Sequence, residues 1–171
     1  MIVSIAVLTL ALAATAASPP ATLPPQPSYM QPPAGWRSLG PPPADAPIDY
    51  GWVSPHFRDG SAHAGDSLSA YVRPIPPGST LGAQVKEMIA AETGDGRTVA
   101  SSKSHATCNG TQSGWTVDFR IQLSPSLTLS QVEHVAVFDG HVYDVMFTHR
   151  ADLPVDAAVQ ASIDSLCPKN G

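Results

Sequence analysis

Between Cys108 and Leu123 the chain reads CNGTQSGWTVDFRIQL, in which Trp115, Val117, Phe119, Ile121 and Leu123 alternate with Thr116, Asp118, Arg120 and Gln122. Successive side chains of a strand point to opposite faces, so a period of two predicts a β-strand with one apolar and one polar face. Such a strand is unstable alone and requires neighbouring strands, with a helical layer against its apolar side. The rest of the chain has to supply those partners.

The flanking segments meet that demand. Asn109-Gly110 and Asp139-Gly140 are tight-turn dipeptides of the kind that close hairpins. The first folds the Ser- and Thr-rich stretch Thr98 to Thr107 back onto the opening strand. The second joins Gln131–Phe138 to His141–Arg150, and a two-residue loop sets their register: Phe138 opposes His141, Ala136 opposes Tyr143, His134 opposes Val145 and Val132 opposes Phe147. All eight share one face, which is expected to be the buried one. Upstream, Asp49–Phe57 and Ser67–Arg73 flank the Gly-rich turn Arg58–Asp66 and make a further hairpin.

Two helices complete the pattern. Ser79 and Thr80 offer N-cap hydroxyls, and Leu81, Val85, Met88 and Ile89 recur at helical spacing up to about Glu92, before the glycines of Thr93-Gly94-Asp95-Gly96. Asp152 is expected to cap the last helix, with Pro154 in its first turn and Val155, Val159, Ile163 and Leu166 as its apolar stripe. Together these elements predict an α+β fold, an antiparallel sheet of about five to seven strands flanked by two main helices.

At 171 residues the chain suits one domain. Ile2 to Ala17 is almost wholly apolar and ends in the small-x-small run Ala14-Thr15-Ala16, so residues 1–17 read as an export signal. The apolar run is shorter than the roughly 20 residues that span a bilayer, so no stable membrane span is expected after cleavage. Residues 18–47 hold eleven of the eighteen prolines, which removes the donors that ladders and helices need; this stretch reads as a disordered, polyproline-like leader. An isolated Trp in a linker gains nothing, so Trp36 and Leu39 are candidates to belong to the domain, whose boundary is placed at 48–169. The expected compartment is the periplasm or the exterior.

Only 13% of the residues are charged and the net charge of −5 is spread out, so the clustered Lys and Arg that nucleic acid requires are missing. The two cysteines, Cys108 and Cys167, read in an exported protein as one disulfide tying the last helix to the sheet. The rival reading, a nucleophilic Cys108, needs a base, for which only His105 is near in sequence.

No cofactor or metal is expected. His141 and His149 sit on one strand about 26 Å apart at roughly 3.3 Å per residue, with His134 about 13 Å from each across the hairpin, too far to share an ion. His134 reads as a core-edge residue satisfied by neighbours such as Tyr143. His63, with Asp66 and Asp59 in the Gly-rich turn, is the better metal candidate, although a solvated turn is the plainer reading; His63, Asp66 and the pair Asp118 and Arg120 on the open face of the central strand are the binding candidates. Catalytic residues are not identified: no Ser sits in a Gly-x-Ser-x-Gly turn.

The Gly35-Trp36 opening, Trp52-Val53-Ser54-Pro55, the Ser79-Thr80-Leu81 helix start, the Asp-Gly-His-Val-Tyr hairpin at 139–143 and the ending Ile163-Asp164-Ser165-Leu166 resemble the PsbP-like group over residues 35–167. That group includes the extrinsic photosystem subunit, the Ran-binding Mog proteins and exported bacterial proteins of unknown role. The resemblance implies an antiparallel sheet flanked by helices and a role in binding or assembly, and it carries over no site residue. Taken together, the sequence predicts an exported, non-enzymatic module that binds an unknown protein or small ligand. The alternative is an envelope hydrolase that uses His56, His63 or His105 in a pocket.

Overall fold

The computed structural model describes residues 27–40 and 48–168. The expected signal at 1–17 and the leader residues 18–26 and 41–47 lie outside the described residues. Seven strands, β1 (Arg37–Ser38), β2 (Tyr50–Val53), β3 (Ser67–Pro74), β4 (Thr98–Thr107), β5 (Gln112–Ser124), β6 (Leu127–Phe138) and β7 (His141–Arg150), form one sheet in the order β1-β2-β3-β7-β6-β5-β4. Every adjacent pair is antiparallel. Helices α1 (Leu81–Gly94) and α2 (Ala157–Asp164) complete the α+β fold. Among the described residues no helix is long and apolar enough to cross a membrane.

The Asp139-Gly140 turn has both residues at positive φ, 46° and 71°, the backbone that a two-residue hairpin loop of matching twist demands. It delivers the expected register, with Phe138 opposite His141 and Val132 opposite Phe147. Both faces of that hairpin are covered, however, where one was expected to be open. Leu68, Ala70, Ala136, Val145 and Phe147 meet Val159, Ile163 and Leu166 of the α2 segment on one side. Val117, Phe119, Val135 and Val142 meet Val85 of α1 on the other. The reason is topological: α1 leaves β3 in mid-sheet and must cross to β4 at the far edge, so it covers the face that α2 leaves free.

Two boundaries move. Asp156, and not Asp152, caps α2, accepting from Ala158 N at 2.7 Å. Arg150 has already taken Asp152, through two hydrogen bonds of 3.0 and 2.6 Å, and Pro154 falls before the helix. The domain also begins before residue 48. Tyr29 and Met30 are buried in the α2-side core and Trp36 packs on Phe147 with ring centroids 6.1 Å apart. β1 pairs with β2 through Arg37–Val53 and Ser38–Trp52. Proline content concealed this segment, whose anchors are side chains, single hydrogen bonds and a ladder only two residues long.

The Tyr29 segment and the C-terminal segment hold each other. Cys167 N donates to Tyr29 O at 2.7 Å, Gln31 N donates to Ser165 Oγ at 2.7 Å, and Ser162 Oγ donates to Gln31 O at 2.5 Å. Cys108 and Cys167 pair as a disulfide, with Cα atoms 4.6 Å apart. Cys108 does not open β5; it sits in the turn before it, with Cys108, Asn109 and Gly110 all at positive φ. Two successive non-glycine residues in that region cost on the order of 1 kcal/mol each, a cost the disulfide and the surrounding hydrogen bonds must hold in place.

Two outcomes follow for stability. The Tyr29 hydroxyl is buried with no hydrogen-bond partner among the described residues, so Tyr29→Phe should leave stability unchanged or raise it by about 1 kcal/mol, whereas Tyr29→Ala should cost about 3 kcal/mol. Urea denaturation distinguishes them. Reducing the disulfide, which closes a span of 59 residues, should lower stability by up to about 4 kcal/mol in the same assay; an unchanged midpoint after reduction would contradict the pairing.

Candidate functional site

On the face under α2, the register brings residues from three strands into one row. Lys103 of β4 stands opposite Thr116 of β5, and Thr116 opposite His134 of β6. His105, two residues along β4, lies opposite Gly114. A Cβ at Gly114 would come within 2.7 Å of His105 Nε2, so the missing side chain is what lets the imidazole lie across β5. The His105 and His134 rings then meet edge to face, with centroids 5.8 Å apart.

The Thr116 hydroxyl is shared between them, 3.2 Å from His105 Nδ1 and 3.0 Å from His134 Nδ1. A hydroxyl has one proton to give, so Thr116 donates to one ring and accepts from the other, and the two imidazoles take opposite tautomers. Burial holds both in the neutral form. It depresses His134 to about 4, helped by the neighbouring His105, and it depresses His105 as well, helped by Lys103. No carboxylate hydrogen-bonds to either ring among the described residues. The expected partner of His134, Tyr143, is replaced by Thr116.

These groups line a cavity of about 560 Å³ that opens between the sheet and α2. Asp118 and Val132 form its floor, Gln160, Ile163 and Asp164 its helical wall, and the Cys108–Gly110 turn its rim. The rim is tied to the C-terminal segment by Thr107 Oγ1 donating to Leu166 O at 2.6 Å and Gln112 Nε2 donating to Pro168 O at 2.9 Å. Cys108 is therefore a wall of the cavity through its pairing with Cys167.

The candidates singled out by sequence fall around this cavity and beyond it. Asp118 lines it, pairs with Arg120 at 2.8 Å and accepts from Ser130 Oγ at 2.6 Å. Ser130 stands opposite both Arg120 and His149, and the imidazole of His149 feels the charges of Asp66, Asp118 and Arg120. His63 Nδ1 lies 3.1 Å from Asp66 Oδ2 in the loop between β2 and β3. Burial raises the Asp66 carboxyl above its usual range, and Asp66 Oδ1 and His149 Nδ1 have no hydrogen-bond partners among the described residues. The candidates thus form two pairs, His63 with Asp66 in the loop and Asp118 with Arg120 on β5, whose charges both reach His149.

The same loop holds His56 Nδ1 2.6 Å from Asp59, an exposed pair. Ser54 Oγ accepts from His56 N and donates to His63 O, so its hydrogen bonds go to backbone. No group of three or more metal-ligating side chains is found among the described residues.

Comparison with solved structures gives the fold a context. The solution structure of cyanobacterial PsbP (CyanoP) from Synechocystis superposes with a TM-score of 0.55 at 14% identity, over 78% of this chain and 79% of that one. The crystal structure of PA94, a Pseudomonas aeruginosa protein of unknown function, superposes with a TM-score of 0.51 at 14% identity, over 80% and 83%. No family model and no curated protein matches the chain. At this identity the likeness shows a PsbP-like fold.

The neutral His134 has a consequence that can be measured. The unfolded imidazole takes up a proton near pH 6.5, whereas the folded one resists until about pH 4. Stability should therefore fall as pH drops through this window, by on the order of 3 kcal/mol from this group alone. His134→Asn should flatten the curve between those pH values relative to the wild-type chain, as read by urea midpoints at half-unit pH steps.

Proposed function

We infer that this chain is an exported, non-enzymatic binding or assembly module whose recognition site is the cavity under α2. The observation that carries the reading is the sharing of one threonine hydroxyl by two neutral imidazoles inside that cavity. A general base is oriented by a partner that stabilises its charged form; here both rings spend Nδ1 on Thr116, and no carboxylate among the described residues hydrogen-bonds to either. What remains is a concave set of fixed donors and acceptors interrupted by the apolar Val132 and Ile163, a make-up suited to recognition.

Export is supported by the signal-like residues 1–17 and by the cysteine pair, since disulfides persist in oxidising compartments. The resemblance to the PsbP-like group, better known for binding and assembly than for catalysis, supports the same reading. The partner is a protein or small ligand that enters between the sheet and α2.

Envelope extracts passed over the immobilised chain should yield a partner that is lost with Thr116→Val, while the purified chain leaves p-nitrophenyl acetate and casein peptides uncleaved. Hydrolysis by the wild-type chain that disappears in His105→Ala would overturn the reading in favour of a hydrolase.

A further inference from the structure

The opposite face of the sheet holds a second cavity, also about 560 Å³, between α1 and strands β3, β7 and β6. Its walls are apolar where Met88, Val135, Val142 and Met146 meet, and acidic at the floor. Glu133 and Asp144 are 3% and 2% exposed. Four carboxylates, of Glu87, Glu92, Glu133 and Asp144, line this space together with two guanidiniums, of Arg73 and Arg97. Tyr71 is the remaining titratable group in the lining.

Hydrogen bonds reach one oxygen of each buried acid. Gln131 Nε2 donates to Glu133 Oε1 at 2.6 Å and to Glu92 Oε2 at 3.0 Å, and Arg97 pairs with Glu92 at 2.9 Å. The Arg73 guanidinium stacks over the Tyr71 ring, 4.4 Å from its centroid, and the Tyr71 hydroxyl donates to Asp144 Oδ2 at 2.5 Å. Asp144 Oδ1, on a side chain buried to all but 2%, has no hydrogen-bond partner among the described residues. A buried acceptor without a donor is costly and uncommon in folded proteins.

We propose that this cavity binds a small organic cation, a primary ammonium on an apolar body, with the ammonium on Asp144 and Glu133 and the body against Met88, Val142 and Met146. The unfilled acceptor calls for a donor, the surplus of carboxylates for a positive charge, and the methionine and valine walls for a hydrocarbon. A quaternary ammonium supplies the charge without the donor, and an alcohol the donor without the charge. The site shares no residue with the cavity under α2 and stands independently of the reading of that cavity.

Burial pushes both acids up, Glu133 to about 8 with help from the charge of Asp144, and Asp144 to about 7 with help from that of Glu92. The pair titrates as a unit, so an ammonium binds by displacing protons from it. Affinity should therefore rise with pH across this range.

Calorimetric titration of the full chain with n-hexylamine, which stays protonated throughout, tests the proposal. Saturable binding is expected at pH 8, roughly tenfold weaker at pH 6, with hexan-1-ol and hexyltrimethylammonium each at least about tenfold weaker than hexylamine at pH 8. Asp144→Asn, which keeps the shape and an acceptor for Tyr71, should weaken hexylamine at least about tenfold, with Glu133→Gln as the second variant should the first not fold. Arg58→Ala, at an exposed loop position outside both cavities, should leave hexylamine binding unchanged. Absence of hexylamine binding at pH 8, equal binding of hexan-1-ol, or wild-type affinity in a folded Asp144→Asn chain would each overturn the proposal.

Discussion

The two-residue turn at Asp139-Gly140 determines what faces what in this molecule. Side chains in a strand alternate with a period of two, so a slip of one residue between β6 and β7 would exchange every inward and outward group. In the observed register, Glu133, Val135 and Asp144 face α1 while His134, Val145 and Phe147 face the α2 side. Both cavities inherit their chemistry from that choice. The turn can make it because Asp139 accepts a positive φ and Gly140 has no side chain to oppose one.

Covering both faces also explains why polar groups are buried on each. A sheet with one solvated face can put its charges in water, but α1 and α2 leave the central strands no such outlet. Carboxylates and imidazoles in those strands must then be hydrogen-bonded or held neutral. On the α2 side the solution is a pair of uncharged rings around Thr116. Beneath α1 it is a network in which Gln131, Arg97 and Tyr71 serve the acids, leaving Asp144 Oδ1 without a partner among the described residues.

Local signals were legible in the sequence. The Asn-Gly and Asp-Gly turns, the Thr80 cap and the alternation of β5 are each written in a few neighbouring residues, and the antiparallel α+β sheet follows from adding them. The position of the α2 cap was less so, because Asp152 and Asp156 are equivalent as isolated cap residues and only the prior engagement of Asp152 by Arg150 separates them. Tyr29 and Met30 were hidden by the prolines around them. The His105–Thr116–His134 cluster requires the register of three strands at once, and the glycine at 114 that makes room for it looks in sequence like any other strand glycine. Glu133 and Asp144 looked like solvent-facing members of an alternating pattern, since nothing local announces that a crossover helix will lie on top of them.

The clasp between the Tyr29 segment and the Ser162–Cys167 segment has a mechanical meaning. Near the two ends of the described residues, these segments are hydrogen-bonded directly to each other and, through Cys108, tied to a single turn of the sheet. Tension applied between the two ends is borne within that one cluster, and the long strands β5, β6 and β7 lie outside the path of the load. A chain tethered at either end can thus be pulled without shearing the hairpin that sets its cavities, so long as the clasp holds.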